Sequence, residues 1–331
     1  MLSRVADSVY WMSRYIERAE NYARFLDVNF NLSLELHPNA KEQWKPLVVV
    51  TGDSELFEAY YKSGAKKNVI RFLAFDERNP NSIYSCIVNA RENGRAIRPE
   101  ITKEVWEQIN SLYYLVKEGQ DKKYWEKKDP RKFFDRVKKG CQLLYGILDS
   151  TISKTEGWHF VKIGQLIERA DKTSRILDVK YHLLLPDPEM VGSALDLIQW
   201  STLLKSVSAY DMYRRKYGKL TPWSISEFLI FDKNFPRSIL SCLLGAEQSL
   251  KSITRSDQGS FSNSAEKKIG LLRSQLEYAD INDIFGSGLH EYLDDLQLKL
   301  NQLSTSIFET FFSTKNIVNL SSKTFQNGKT Q

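Results

Sequence analysis

The segment "YIERAENYARFLDV" at residues 15–28 returns as "LIERADKTSRILDV" at residues 166–179. A chain that writes one helix twice, charges included, has two equivalent places to put it. Other echoes keep the same order. "QWKPL" at 43–47 is matched by "QWSTL" at 199–203, and "FLAFDERNPNSIYSC" at 72–86 by "FLIFDKNFPRSILSC" at 228–242. Three matches at nearly the same offset predict two copies of one module, about 1–150 and 151–315. The polar end, 316–331, reads as a disordered tail, and "SDQGSFSNS" at 256–264 as a second flexible stretch.

Only 16 Gly and 9 Pro fall among 331 residues, so long turn-free stretches favour helix. The expected fold class is all-α, two tandem pseudo-symmetric helical modules forming one compact bundle. In the first copy Met12, Ile16, Ala19, Ala23, Leu26 and Phe30 recur at helical spacing; Ile163, Ile167, Ala170, Ser174, Leu177 and Tyr181 do so in the second. Both stripes are expected in the core. In the second shared motif Asp76 or Asp232 is followed by Pro80 or Pro236 and then Ser82 or Ser238, which marks a helix N-terminus. Cys86 and Cys242 then fall inside that helix as small core residues.

A charged stripe runs beside each apolar one. Glu17, Glu20, Arg24 and Asp27 are spaced three, four and three, and Glu168, Asp171, Arg175 and Asp178 repeat the spacing and the charge order. A solvated ladder of such pairs stabilises a helix by only about 0.2–0.5 kcal/mol per pair. Other surface positions differ between the copies, Asn21 against Lys172 and Tyr22 against Thr173, so retention of the stripe suggests a geometric role. Three readings stand open: a semi-buried network joining the modules, a ligand or metal site, and a plain solvated face. Di-iron bundles use Glu-x-x-His. The pairs here, Glu17-x-x-Glu20 and Glu168-x-x-Asp171, lack His and are threaded by Arg, so no metal is expected.

The copies also differ. Only the first carries Arg91, Arg95 and Arg98, with Glu92 beside them, and Pro99 should end that helix near Arg98. A one-sided Arg row can grip phosphate or carboxylate bidentately. The row is expected to line an anion groove with Arg14 on the adjacent helix; pairing with a neighbouring acidic stripe is the alternative. Arg4 and Arg18 add cations on the first helix, and Arg237 in "FPRS" stands at an expected helix start, a plausible anion site. The Lys-rich run at 117–139 interleaves with Tyr124, Trp125, Phe133 and Phe134, and a solvated helix–turn–helix is favoured there over a nucleic-acid surface.

Composition excludes several classes. The net charge of +6 is spread thinly and does not by itself imply nucleic acid. Arg4, Asp7, Arg14 and Glu17 interrupt any signal-peptide core, and no apolar run of eighteen residues exists to span a membrane. Cys86, Cys141 and Cys242 have neither metal spacing nor a disulfide framework, so a cytoplasmic setting is expected. His37, His159, His182 and His290 have no convincing partner in sequence, and no nucleotide or hydrolase motif occurs.

Together "MLSRVADSVYWMSRYIERAENYARFLDV", "NARENGRAIRPEI" with "VWEQIN", "LIERADKTSRILDVKYHLLLP", "QWSTLLKSVSAYDMYRR" and "FLIFDKNFPRSILSC" resemble the bacterial alpha-E family, from residue 1 to about 245. The resemblance implies an all-helical domain that works beside a circularly permuted ATP-grasp ligase and a transglutaminase-like protein, sometimes fused to the ligase. It implies a part in making or modifying peptides through amide bonds. The chain would then be a helical partner or substrate-presenting subunit, touching an acidic peptide or a phosphorylated intermediate. ATP and Mg²⁺ would sit on the ligase and no cofactor here. The matching residues are Arg14, Glu17, Glu20, Arg24, Arg91, Glu92, Arg95, Glu168, Arg175 and Arg237; the first copy departs at Asn81, where the second has Arg237. Two alternatives remain: an enzyme in its own right using Glu17 or Glu168 as general base, and a structural or nucleic-acid-binding helical protein.

Overall fold

The computed structural model describes residues 1–35, 44–127, 129–182, 192–257 and 259–313. The segment 316–331, His37 and Gln258 lie outside them. Fifteen α-helices and no strand occur among the described residues. They are α1 (Ser3–Glu35), α2 (Lys45–Thr51), α3 (Ser54–Tyr60), α4 (Lys66–Ala74), α5 (Ile83–Ala96), α6 (Lys103–Asp121), α7 (Arg131–Thr151) and α8 (Glu156–His182), then α9 (Ala194–Ser206), α10 (Tyr210–Lys216), α11 (Pro222–Phe231), α12 (Ile239–Thr254), α13 (Ser264–Tyr278), α14 (Ile281–Ser287) and α15 (Leu289–Ile307).

Two helices organise the rest. α1 has 33 residues and α8 has 27, about 50 and 40 Å at 1.5 Å per residue. These are the helices that carry the two "ERA" segments, and they pack on each other. α5 and α7 cover the other sides of α1, while α12 and α15 cover α8. The apolar stripe of α1 is buried from Met12 to Phe30, and that of α8 from Ile163 to Leu177. Tyr181 departs from the expectation: it is 62% exposed, because α8 there has run past the core. Gly164 sets the approach of the two axes, since a Cβ at that position would lie 2.5 Å from the carbonyl oxygen of Tyr10. Beside it Ser13 Oγ donates to the carbonyl oxygen of Val161 at 2.7 Å.

The Asp–Pro–Ser motif does what its residues suggest. Ser82 caps α5 by accepting from the Ser85 amide, and Ser238 caps α12 by accepting from the Ser241 amide. Asp76 and Asp232 close the turns ahead of the caps by accepting backbone amides two and three residues on. Cys86 and Cys242 are buried in the first turns of these helices, and burial pushes both thiols up to about 12. α5 ends at Ala96, and the chain passes through a short 3₁₀ turn, Arg98–Glu100, around Pro99.

The Lys-rich run is a helix–turn–helix whose aromatics face inward. Phe133 and Phe134 are core residues, and Trp125 packs on Phe75 with ring centroids 5.2 Å apart. Several polar residues of the stretch 256–264 bond to the helix that follows. Buried Glu266 ties it down, accepting from Ser256 Oγ at 3.1 Å, Ser262 Oγ at 3.0 Å and Asn263 Nδ2 at 3.1 Å, while Asn263 caps α13. Among the described residues no helix is long and apolar enough to cross a membrane.

Candidate functional site: the ion-pair network between the two long helices

Neighbours in a helix point about 100° apart, so Glu17 and Arg18, like Glu168 and Arg169, do not face each other. Each must find its partner elsewhere, and in this structure each finds it on the other long helix. Arg169 donates from Nε and Nη2 to the two oxygens of Glu17, at 2.9 and 2.8 Å. Arg18 donates from Nε and Nη2 to the two oxygens of Glu168, at 2.7 and 3.0 Å. Glu17 and Glu168 are both 0% exposed. The two Glu-Arg pairs thus exchange guanidinium forks across the α1–α8 contact, in bidentate geometry.

The rest of the stripe follows suit. Arg24 holds Glu20 on its own helix at 2.7 Å, and its Nη1 donates to the carbonyl oxygen of Ser206 at 3.1 Å, the last residue of α9. Arg175 holds Asp171 at 3.0 Å, and its Nη1 donates to the carbonyl oxygen of Val50 at 2.9 Å, in the last turn of α2. A guanidinium at a helix C-terminus satisfies an orphan carbonyl and suits the dipole. Arg14 joins Glu168 at 2.8 Å, and Lys172 reaches Asp171 at 2.6 Å and Glu168 at 3.3 Å. Arg237, from the turn ahead of α12, reaches Glu17 at 3.1 Å and Glu20 at 2.5 Å. Asp27 and Asp178 end the stripe, Asp27 on Lys138 of α7 at 2.5 Å and Asp178 on His290 of α15 at 2.7 Å.

Of the three readings of the stripe, the structure gives the network. Its electrostatics follow from the packing. Burial pushes the Glu17 carboxyl up, but Arg169 and Arg237 overcome this and hold it at about 2. Glu168 is also held well below its ordinary value, with burial outweighed by Arg18, Lys172 and Arg14. Asp171 is also lowered, with burial outweighed by Arg175 and Lys172. A general base needs reach to substrate and a pKa near the working pH. Glu17 and Glu168 are enclosed, held in the ionised form at neutral pH and gripped by cations, so they are built as counter-ions. Residues 1–312 match the Alpha-E family, and the chain belongs to it.

That family is described as a predicted alpha-helical domain with a conserved ER motif. Glu17–Arg18 and Glu168–Arg169 give such a motif a physical content in this Alpha-E chain: it is the reciprocal lock between α1 and α8. Similar proteins are the uncharacterized proteins Mb2597 of Mycobacterium bovis and Rv2567 of Mycobacterium tuberculosis, each 22% identical over 321 residues, covering 88% of this chain. The chain spans about a third of their length, 34% in each case. No solved structure matches.

Of the remaining site residues, Arg91, Glu92, Arg95 and Arg98 lie apart from the network, whereas Arg14 and Arg237 belong to it. Arg14 points into α8 and α15, where Ser304 Oγ accepts from its Nη1 at 3.0 Å, and it does not join the Arg row of α5. Arg91 donates to Asn110 Oδ1 at 2.7 Å and lies over Tyr113 and Trp106, 4.5 and 5.7 Å from the ring centroids. Arg98 also lies over the Trp106 ring, 5.9 Å from its centroid. Arg95 is exposed and paired with Glu92. These four residues form an external face of α5 and α6. Arg237 is buried on Glu17 and Glu20, so it serves the network at the place where an anion site was expected.

Sequence spacing gave Arg18 no partner, missed Arg169, and took Asn21, Tyr22, Lys172 and Thr173 for surface positions, whereas all four are buried against the neighbouring helices. The readable signal was the Arg after each Glu, at the same position in both repeats. It also missed that His182 and His290 come together beside Asp178, from α8 and α15. His159 meets Trp158 edge-on, with centroids 5.1 Å apart.

Proposed function

We propose that this Alpha-E chain is a helical partner, or substrate-presenting subunit, of an ATP-grasp amide-ligase system that makes or modifies peptides. The observation that supports it most is the Arg–aromatic face of α5 and α6. Arg91, Arg98, Trp106 and Tyr113 form a pre-ordered ridge, with the Arg95 side chain 69% exposed beside it. Trp, Tyr and Arg are the residues that carry most binding energy at protein interfaces. A planar guanidinium stacked on a ring is held ready for the carboxylates of an acidic peptide or of the ligase. The interior, by contrast, is closed by the ion-pair network, which leaves recognition to the surface.

The relatives fit this reading, since two-thirds of their length is available for further domains working beside the matched part. ATP and Mg²⁺ belong to the ligase, the transglutaminase-like protein is the second partner, and the setting is the cytoplasm. The same reading takes the molecule as two modules, 1–150 and 151–315, related by a pseudo-twofold axis through the α1–α8 contact. The reciprocal pairs Arg18–Glu168 and Arg169–Glu17 support it, as do Arg24 on α9 and Arg175 on α2.

The test is binding between the purified chain and the purified circularly permuted ATP-grasp protein of the same cell, by calorimetry. A saturable complex is expected, weakened at least about ten-fold by Arg91→Glu with Arg95→Glu, since like charges across an interface are costly. Absence of a complex, or recovery of nucleic acid instead of ligase from native cells, overturns the proposal.

A further inference from the structure

We infer that Asp178, His182 and His290 form a binding site for a divalent transition ion of the zinc class. Asp178 and His182 lie one turn apart on α8, and His290 comes from the first turn of α15, so two elements close on one point. Asp178 holds one imidazole on each oxygen: His290 Nδ1 lies 2.7 Å from Oδ1 and His182 Nε2 lies 3.7 Å from Oδ2. One ligand atom from each residue falls within 4.8 Å of the others. A tetrahedral ion with bonds of about 2.0–2.2 Å holds its ligand atoms roughly 3.3 Å apart. The present spacings straddle that value, so small rotations of side chains would admit the ion.

The donor set selects the ion. Two imidazoles and one carboxylate suit Zn²⁺ and its neighbours and not Mg²⁺ or Ca²⁺, which take oxygen. The surroundings are those of a supported ligand. Asp294 Oδ2 stands 3.7 Å from His290 Nε2, where a carboxylate can orient the ring through its second nitrogen. Tyr181 stacks on the same ring, with centroids 4.0 Å apart and planes 6° from parallel. Lys180 is occupied elsewhere, on Asp196 at 2.8 Å, and so does not compete for Asp178. A cavity of about 260 Å³ opens beside the cluster, walled by Leu177, Trp200, Leu289 and Leu293. Three protein ligands and a fourth position facing a cavity make an open site.

A plain ion pair does not account for the group. On α1, Asp27 pairs with Lys138 of α7 at 2.5 Å. Asp178 meets two imidazoles, and the second, His182, is not needed for pairing.

The full chain would be titrated at neutral pH with Co²⁺, followed by its visible d–d absorption, and with Zn²⁺, followed by calorimetry. One ion per chain is expected, with tetrahedral-type cobalt bands that Zn²⁺ abolishes and excess Mg²⁺ does not. His182→Ala and His290→Gln should each weaken binding at least about ten-fold. His182 sits at the end of α8 with its side chain 23% exposed, so its replacement leaves the core intact. Circular dichroism verifies this for both variants. Lys138→Ala, at the ion pair on α1, should leave the titration unchanged. No saturable binding, or equal binding in wild type and both His variants, overturns the site.

Discussion

Replacing Arg169 with Met is the most direct trial of the reciprocal lock. The change keeps most of the apolar stem and removes the fork that grips Glu17 at 2.9 and 2.8 Å. Glu17 stays 0% exposed, with Oε1 still approached by Arg237 at 3.1 Å and Asn21 at 3.0 Å, but Oε2 loses its ion pair. Stranding one member of a buried pair costs about 3–5 kcal/mol. The surviving Arg237 contact places this variant near the lower end, about 3 kcal/mol. With an unfolding entropy of about 2.1 cal/mol/K per residue over roughly 300 residues, that is a fall in Tm of about 5 °C. Calorimetric melting and urea midpoints measure it. Lys67→Ala is the control, since its pair with Glu126 is half-exposed on both sides and is worth under about 1 kcal/mol. Glu17→Gln together with Arg169→Met should cost less than the two single changes summed, with a coupling above about 1 kcal/mol. If Arg169→Met melts within about 1 °C of wild type, the lock is not a structural element and the reasoning fails.

Two further outcomes follow from the same geometry. Gly164→Ala puts a methyl 2.5 Å from a backbone oxygen of α1, which only a shift of the two long helices relieves, so denaturation should show a loss of about 1–3 kcal/mol or more; an unchanged midpoint contradicts the close approach. Glu17 falls from an ordinary value of 4.5 to about 2 on folding, so below the ordinary value the unfolded chain binds the proton that the folded chain refuses; the stabilisation is complete above about pH 4.5 and is lost as pH falls toward 2, at up to about 1.4 kcal/mol per pH unit per carboxylate. Urea midpoints measured from pH 6 downward, on the order of half a unit apart, should decline steeply in wild type and less so in Glu17→Gln; parallel curves would contradict the assignment.

The parts of this fold legible in the sequence are those fixed within one helix. The apolar stripe of α1, the Ser82 and Ser238 caps and the halt at Pro99 each depend on residues a few positions apart. The charged stripe was legible as a face and not as a contact, because spacing says which side chains share a face but not what covers it. Arg18 and Arg169 show the gap. Each sits beside its Glu in sequence, and its partner is about 150 residues away, at separations of 150 and 152. The Asp178–His182–His290 cluster escaped for the same reason: one pair is local to α8, and the third member arrives 112 residues later. The Arg91 row was expected to face Arg14, but α1 presents Arg14 to α8 and α15, on a different side from α5.

The differences between the two echoed segments resolve once the network is seen as a count of charges. Beside Glu17 and Glu20 the long-helix position is Asn21, and the cation that joins both carboxylates is Arg237 from the turn ahead of α12. Beside Glu168 and Asp171 that position is Lys172, which reaches both, and the turn ahead of α5 carries Asn81. Asn81 is left free to accept from Arg18 Nη1 at 2.6 Å and to donate to Asp53 at 2.9 Å. One cation has changed its anchoring element while its place between two acids is kept. Arg237→Asn alone should therefore leave Glu17 and Glu20 one cation short, with Arg169 still on Glu17 and Arg24 still on Glu20, and cost about 3 kcal/mol, the lower end of the range for a broken buried pair. Adding Asn21→Lys rebuilds the arrangement of the other half, so the double variant should recover most of that loss, whereas Asn21→Lys in the presence of Arg237 crowds two cations and should not stabilise. Urea midpoints of the three proteins decide it: a double variant no more stable than Arg237→Asn would mean that the two halves do not share one electrostatic plan.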